Sequence, residues 1–331
     1  MRRRLTSTQG RFTFQLETTT TTLEGTECAQ HGHWRGANPL RSTKEDQMRR
    51  SFLLLTALGS TIASWNVAFA TWSVIAADQA TGRVAIAAAT CVDQDDPSFL
   101  KTVQAIVVPG KGVAAAQAAV DRTHKNQMFI YEQMQQGTEP AAILEQLSRD
   151  EPLYQTRQFG IVDLRGRVAG HSGIGNLYVA QDRQGQVPGT GIYYSIQGNI
   201  LRPGEVVPNA VQALVHANGA LTDRVMAAMD AADGSGGDSR CNCPPWPTDG
   251  TKPPIPCNDR TSYIAYILMA TPSDKTLNSH NEGNYSLYLP VISPGSNHGP
   301  DQIHVGEDLN PVKTLRMRYD KWRKKQPATY K

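Results

Sequence analysis

Two short stretches near residue 80 constrain the fold more than any other feature of this sequence. Residues 71–78 read T-W-S-V-I-A-A-D and residues 83–90 read R-V-A-I-A-A-A-T, with a glycine-bearing turn between them. Both are almost continuously apolar and rich in small side chains, whereas a half-exposed strand alternates apolar with polar residues. We therefore expect a β-hairpin that is buried on both of its faces.

The order of the remaining elements indicates the fold class. Strands come in blocks and helices come in pairs, unlike the strict alternation of a doubly wound sheet. This order predicts an α+β fold, with two mostly antiparallel sheets and helices outside them. The predicted strands cover residues 103–109, 112–120, 157–164, 167–172, 193–199, 262–270 and 286–292, and the predicted helices cover residues 124–136, 140–149, 205–217 and 222–232.

The first 70 residues have the composition of a leader. Residues 1–47 are polar, so they are either a disordered tail or a mistaken upstream extension. Residues 48–70 carry the arginine pair Arg49-Arg50, an apolar run and the small-x-small site Ala68-Phe69-Ala70, which together predict a cleaved signal peptide. The arginine pair also suits a twin-arginine export signal. The alternative is an uncleaved anchor helix. We expect an exported protein, periplasmic or secreted.

The remaining chain divides into one domain and two additions. Residues 71–300 form the predicted domain, with a Cys/Pro-rich insertion at 241–257, and residues 301–331 form a basic tail with a terminal helix. Acidic side chains outnumber basic ones between residues 71 and 310, which argues against nucleic acid as a partner. The apolar helices leave room for a homodimer. Trp322, flanked by basic residues, either docks on an anionic envelope surface or packs on its own domain.

Four cysteines follow the predicted cleavage site: Cys91, Cys241, Cys243 and Cys257. An even number in an exported chain favours disulfides. We expect Cys257 to close the proline-rich loop onto Cys241 or Cys243, and the other of these two to pair with Cys91. A zinc site is disfavoured because Cys-x-Cys is not the usual ligand spacing and no histidine lies nearby. No metal or cofactor is therefore predicted.

Cleavage after Ala70 would give Thr71 a chemical role. A threonine hydroxyl is a poor nucleophile at neutral pH and needs a base. A free α-amino group on the same residue, with a pKa of about 7.7–8.0, can serve as that base. The simpler interpretation is that small residues are common after cleavage sites and that threonine suits a strand.

Several motifs carry a resemblance to a known family. The opening T-W-S-V-I-A-A-D is followed in order by A-A-A-Q-A (114–118), Q-F-G-I-V-D-L-R-G-R-V-A-G-H-S-G (158–173), S-I-Q-G-N-I-L (195–201) and G-G-D-S-R (236–240). Over roughly residues 71–270 the chain resembles the domain of unknown function 1028 family. The resemblance implies an N-terminal-nucleophile (Ntn) hydrolase-like fold, a four-layer αββα sandwich. The leader, the Cys/Pro insertion and the basic tail depart from the family pattern.

The same motifs supply candidate site residues. Beside Thr71 as nucleophile, Gln197 and Asn199 match the Q-G-N motif and are candidates to stabilise an oxyanion, although they could instead cap a strand end. Ser73 shares a strand face with Thr71 and is expected to line the same cleft. Gln117, on its small-residue strand, is expected to face the cleft too. The other substrate-binding candidates are His171 and Ser172, for which a plain turn is the favoured interpretation, and Asp238 and Arg240, for which a structural ion pair is equally plausible.

Two functions are consistent with these residues. The first is an exported N-terminal-threonine amidohydrolase that cleaves an amide in a small-molecule or peptide-like substrate, with Thr71 exposed by signal-peptide cleavage. The second is a non-catalytic envelope binding or assembly module on the same scaffold. The sequence does not name the substrate.

Overall fold

The computed structural model describes residues 68–69, 71–241, 260–277, 279–293, 300–327 and 330, all within one compact unit, Ser64–Lys331. The predictions for residues 1–47, most of the predicted signal peptide, and Cys243 and Cys257 fall outside the described residues. Within them, the predicted α+β class with two antiparallel sheets is confirmed, and six α-helices accompany the sheets.

The larger sheet has six strands in the order β11-β10-β3-β2-β9-β8, and every neighbouring pair is antiparallel. Its centre is the predicted hairpin, because β2 and β3 pair from Thr71↔Thr90 to Asp78↔Arg83. Almost every side chain of these two strands is buried, as their continuous apolar sequence predicted. The strands of this sheet are β2 (Thr71–Asp78), β3 (Arg83–Thr90), β8 (Gln181–Gln186), β9 (Ile192–Asn199), β10 (Ile264–Ala270) and β11 (Leu287–Ile292).

The smaller sheet has five strands in the order β1-β5-β6-β7, and β4 also pairs with β5. Its strands β5, β6 and β7 match the predicted hairpins closely. The strands are β1 (Ala68–Phe69), β4 (Ala105–Val108), β5 (Gly112–Ala119), β6 (Arg157–Asp163) and β7 (Val168–Ser172). The two-residue strand β1 comes from the predicted leader and belongs to the predicted cleavage site, Ala68-Phe69-Ala70.

The helices are amphipathic and bury their apolar faces on the sheets. They are α1 (Phe99–Gln104), α2 (Lys125–Gln136), α3 (Pro140–Asp150), α4 (Val206–His216), α5 (Leu221–Gly234) and α6 (Pro311–Lys324). Side chains of α4, α5 and α6 share one apolar cluster with β2, β3, β9 and β10. Side chains of α2 and α3 share another with β4, β5 and β6. Gly137 ends α2 in the left-handed conformation, with φ 78°, which glycine adopts without strain.

A third cluster joins the facing surfaces of the two sheets. Ile75 and Ile86 of the larger sheet pack here with Val113 and Val162 of the smaller one. Towards the beginning of β2 the side chains in this space become polar, starting at Ser73. The core between the sheets is therefore apolar over most of its length and polar at the end where β2 begins.

Besides the two-residue strand β1, two elements were not predicted from the sequence. Strand β8, Q-D-R-Q-G-Q, lies at the edge of the larger sheet and shows no apolar alternation because much of it is accessible to solvent. Helix α1 has only six residues, too few for a recognisable apolar period. Strand β8 was therefore missed because the apolar pattern reports burial rather than hydrogen bonding, and α1 because it is short.

The basic terminal helix packs on its own domain. Leu315 and Tyr319 of α6 are buried, Tyr319 Oη donates to Asp223 Oδ1 at 2.6 Å, and Arg323 Nε lies 3.0 Å from the same oxygen. Packing on the domain was one of the two alternatives for this helix, and an envelope contact remains a prediction. Within the described residues, no helix combines the length and apolarity needed to cross a membrane.

His280 supplies a pH-dependent element of stability. It is 3% exposed, and its Nε2 lies 3.0 Å from Asn281 Nδ2. Burial, reinforced by the neighbouring His124 and Lys101, lowers the pKa of His280 from 6.5 to about 4. The unfolded chain therefore binds a proton at His280 below pH 6.5, whereas the folded chain does so only near pH 4.

We expect the free energy of unfolding to fall as the pH is lowered from 6.5 to 4, and to fall less in a His280→Gln variant. Urea denaturation measures the free energy of unfolding of both proteins across this pH range. The carboxylates are common to both proteins, so their contribution cancels when the two free energies are subtracted. Identical pH dependence in the two proteins would contradict a buried neutral His280.

Candidate active site

Three side chains form a row across the larger sheet where β2 begins. Thr71 is paired with Thr90 of β3 on one side and with Asn199 of β9 on the other. Directly opposed residues in antiparallel strands point to the same face, and here that face is turned towards the smaller sheet. Thr71 Oγ1 donates to Thr90 Oγ1 at 3.2 Å, and all three side chains are buried.

Gln117 of β5 connects this row to the smaller sheet. Its Nε2 donates to the carbonyl oxygen of Thr71 at 3.1 Å, while its Oε1 accepts from Ser73 Oγ at 2.7 Å. The same amide accepts from Gln104 Nε2 and donates to Gln158 Oε1, both at 2.7 Å. The sequence analysis placed Ser73 and Gln117 towards one cleft, and the structure brings them into direct contact beside Thr71.

The hydrogen bonds continue away from Thr71 in both sheets. Gln197 donates to Ser73 Oγ and accepts from Ser195 Oγ, and Gln158 Nε2 donates to Ser172 Oγ. We call this group the inter-sheet polar cluster; its members are Ser73, Gln104, Gln117, Gln158, Ser172, Ser195 and Gln197. Five of the seven, all but Gln104 and Ser172, are strand residues whose polar side chains are buried in the space between the sheets.

Asn199 differs from its neighbours because its amide makes no hydrogen bond within the part of the chain that the structure describes. Its side chain is 0% exposed, and both Oδ1 and Nδ2 lack a partner there. Leaving a buried polar group unsatisfied costs about 1–3 kcal/mol, so such groups require an explanation. An unpartnered donor and acceptor opposite Thr71 fit a site that receives a further polar group.

The space next to Thr71 is closed in the uncut chain. A cavity of about 10 Å³, enough for roughly one water molecule, lies against Thr71 and Thr90. Thr71 itself is 2% exposed. The cavity is otherwise lined by Gln104 and Gln117 and by apolar side chains, which are Val92, Phe99, Leu100, Val103, Ala116, Ala118 and Val120.

Two residues beside the site have strained backbones. Ala118 follows Gln117 with φ 73°, and Ile200 follows Asn199 with φ 52°. Positive φ is uncommon for residues other than glycine and is unfavourable for a β-branched side chain such as isoleucine. Strained positions of this kind concentrate at functional sites, where the surrounding structure fixes them. Here they immediately follow the two amide side chains closest to Thr71.

Asp238 and Arg240 form an ion pair next to Cys91, the residue that follows β3. Asp238 Oδ2 accepts from the backbone nitrogen of Cys91 at 2.7 Å and from Arg240 Nη2 at 2.8 Å. Cys91 is bonded to Cys241, with Cα atoms 5.8 Å apart, which is within the range of disulfides and is one of the pairings that the sequence allowed. These contacts hold the residue that follows Thr90, and a structural ion pair was one of the two equally plausible interpretations for Asp238 and Arg240.

His171 and Ser172 occupy opposite faces of β7. Ser172 pairs with Gln158 and joins the inter-sheet polar cluster, whereas His171 pairs with Phe159 on the other face. The His171 ring stacks on Tyr154 at 3.8 Å between centroids, and burial lowers the pKa of His171. The structure therefore connects Ser172, but not His171, to the group around Thr71.

The sequence analysis missed four members of this arrangement: Thr90, Gln104, Gln158 and Ser195. The signal that was available is a polar side chain at an inward position of an otherwise apolar strand, as in R-Q-F-G-I-V-D. Among the described residues, no group of three or more His, Cys, Asp or Glu side chains is placed to hold a metal ion.

Comparisons with known proteins identify the family. A family model described as "Family of unknown function (DUF1028)" matches residues 71–243, which is more than half of the chain. The chain therefore belongs to the DUF1028 family, as the sequence motifs indicated. The match begins at Thr71.

A solved structure of the same family supports the fold. The crystal structure of protein SPO2555 from Silicibacter pomeroyi, titled as a DUF1028 protein, superposes with a TM-score of 0.53 at 20% sequence identity. The alignment covers 76% of this chain and 88% of that chain. No curated protein matches the sequence.

The central position of Gln117 predicts a large loss of stability on its replacement. A Gln117→Met change keeps the approximate volume but leaves Gln104 Nε2 and Gln158 Oε1 without the partner they have now, so we expect a destabilisation of about 3 kcal/mol. Gln135, exposed on α2, provides the matched control, and Gln135→Met should change stability by less than about 0.5 kcal/mol. Urea denaturation measures both. Equal effects at the two positions would contradict a cluster held together by Gln117.

Proposed function

We propose that the chain is an exported N-terminal-threonine amidohydrolase, activated when the leader is cut between Ala70 and Thr71. The observation that carries the proposal is the pairing of a hydroxyl with an unsatisfied amide. Thr71 begins a central strand, its hydroxyl is fixed by Thr90 at 3.2 Å, and the partnerless amide of Asn199 lies directly opposite. A nucleophile and a donor for developing negative charge are the two groups that acyl transfer requires.

The reaction would use the new amino terminus as base. Thr71 Oγ1 attacks the substrate carbonyl carbon, and its proton passes through the α-amine of Thr71 to the leaving nitrogen as the C–N bond breaks. The acyl group remains as an ester on Oγ1. Water then attacks the ester, the α-amine accepts its proton, and Oγ1 leaves as the restored hydroxyl with release of a carboxylic acid. Asn199 Nδ2 donates to the oxyanion in both steps.

Gln197 was predicted as a candidate oxyanion donor, and in this proposal it is a positioning residue instead. Its amide is engaged by Ser73 and Ser195, which places it in the support of β2 rather than at the reacting carbonyl. Gln117 orients Thr71 through the carbonyl of that residue, since its Nε2 donates there at 3.1 Å. Asn199 is thus the preferred oxyanion donor, and Gln117 and Gln197 are positioning residues.

The layer order supports an Ntn-hydrolase-like assignment. Helices α4–α6 pack on the outer face of the larger sheet, helices α2 and α3 on the outer face of the smaller sheet, and the two sheets face each other. This order of layers supports the four-layer αββα arrangement that the family resemblance implies. Fold alone does not define activity, so the assignment adds weight only together with the site at Thr71.

The disulfide supports the exported location. Cys91 and Cys241 are bonded, and disulfides persist in oxidising compartments rather than in the cytosol. The bond also holds Cys91, the residue that follows Thr90 at the end of β3. The oxidising compartment in which Thr71 would be exposed would therefore also stabilise the end of the strand paired with Thr71.

A non-catalytic envelope binding module is the second candidate. The observation in its favour is the closed environment of Thr71, which is 2% exposed beside a cavity of about 10 Å³ in the uncut chain. If that environment stays closed after the cut, no substrate can reach the hydroxyl. The two candidates therefore differ in whether removal of the leader opens the cavity.

The test uses the exported protein and its variants at Thr71. Mass spectrometry should find Thr71 as a free amino terminus, and a β-lactone probe should add one acyl group to its hydroxyl. Thr71→Ala should abolish labelling and lower turnover of a panel of peptidyl anilides by about 1,000-fold or more, while Thr71→Ser should retain both.

Thr314→Ala is the matched control, because it removes another buried threonine hydroxyl, on α6, that lies outside the proposed site. It should retain labelling and turnover. A different amino terminus in the exported protein, or equal labelling of the Thr71→Ala variant, would contradict the proposed function and favour the binding module.

A further inference from the structure

One edge of strand β5 is divided between two partners. Strand β4 pairs with its first half, from Val108↔Gly112 to Ala105↔Ala115. The leader strand β1 pairs with its end, in the register Ala68↔Ala119 and Phe69↔Ala118. The opposite edge of β5 is occupied by β6 as far as Ala118↔Arg157. Among the described residues, the last two residues of β5 therefore have only the leader strand β1 as a partner on their outer edge.

Removal of the leader would leave this edge open but in place. Arg157, which is 6% exposed, donates through Nη1 to the carbonyl oxygen of Ala119, and its Nη2 lies 3.4 Å from Glu151 Oε2. These contacts come from residues after the cut, so they persist in the mature chain. An uncovered strand edge is a template for a further extended chain, which pairs with it through main-chain hydrogen bonds.

The edge ends at the proposed nucleophile. Ala118 lines the same small cavity as Thr71, and the neighbouring Gln117 donates to the carbonyl oxygen of Thr71. In the uncut chain the acyl carbon of Ala70 is bonded to the nitrogen of Thr71. In an acyl-enzyme the substrate carbon would be bonded to Oγ1 of the same residue. The part of a substrate on the acyl side of the cleaved bond can therefore lie along β5 where β1 lies in the uncut chain.

We propose that the β5 edge at Ala118 and Ala119 binds the acyl-side segment of an extended peptide substrate, which adds there as an antiparallel strand in place of the leader. The inference rests on the proposed function for the cut at Ala70 and for the role of Thr71, and it names a peptide rather than a lactam or a small acyl amide as the substrate. The bond cleaved is the peptide bond that follows the paired segment, by the ester route described above with water as co-reactant.

Recognition at such an edge depends on the backbone of the substrate. In an antiparallel pair, successive residues direct their N–H and C=O groups alternately towards and away from the partner strand. Of the two amides at the leader positions 68 and 69, only one faces β5. Methylation of that nitrogen removes a donor and introduces a steric clash, whereas methylation of the other nitrogen does neither.

The experiment uses a peptide with the sequence of residues 64–70, acetylated and amidated, titrated into the Thr71→Ala form of the mature protein, which cannot acylate. Calorimetry should show binding to this form and none to the uncut chain, whose edge is already covered. N-methylation at one of positions 68 and 69 should weaken binding by about tenfold or more, and N-methylation at the other should leave binding within about twofold.

Absence of binding, equal binding to the mature and uncut forms, or equal effects of the two methylations would overturn the proposal. The outcome is separable from the test of hydrolysis. Binding with the alternating methylation pattern, in a protein that shows no labelling at Thr71, would support the peptide edge and reject the hydrolase. Labelling at Thr71 without binding of the peptide would leave the hydrolase and reject the edge.

Discussion

The arrangement around Thr71 depends on one amide, that of Gln117. This side chain reaches from the smaller sheet to the larger one and bonds the carbonyl of Thr71, the hydroxyl of Ser73 and the amides of Gln104 and Gln158. An amide has two acceptor and two donor positions, and Gln117 uses all four in a space from which water is largely excluded. The geometry of the strand that begins with Thr71 is thereby fixed relative to the second sheet.

Much of the fold follows from local sequence. The hairpin of β2 and β3 was predictable because its residues are apolar and small. Gly82 ends the turn of this hairpin, and Gly137 ends helix α2. That Ser73 faces the same way as Thr71 followed from the two-residue repeat of a strand. Strand β8 was not predictable, because a polar edge strand is held by main-chain pairing that leaves no trace in its side chains.

The site was only partly predictable, for a different reason. Asn199 lies opposite Thr71 because of the register between β2 and β9, which no local pattern specifies. Gln104 and Gln158 acquire their roles from the contact between two sheets, and Asp238 from its bond to the backbone of Cys91. His171 and Ser172 are adjacent in sequence, yet their side chains belong to different surroundings because they lie on opposite faces of β7.

The proposed cleavage after Ala70 would give one explanation for the small cavity, the strained backbones of Ala118 and Ile200, and the unpartnered amide of Asn199. The most direct measurement is a high-resolution crystal structure of the mature protein that begins at Thr71. If cleavage completes the site, the cavity beside Thr71 opens to solvent, and the Asn199 amide bonds to the new α-amine or to a molecule held beside Oγ1. A Thr71 still sealed from solvent, with Asn199 turned to bond elsewhere in the chain, would contradict this explanation.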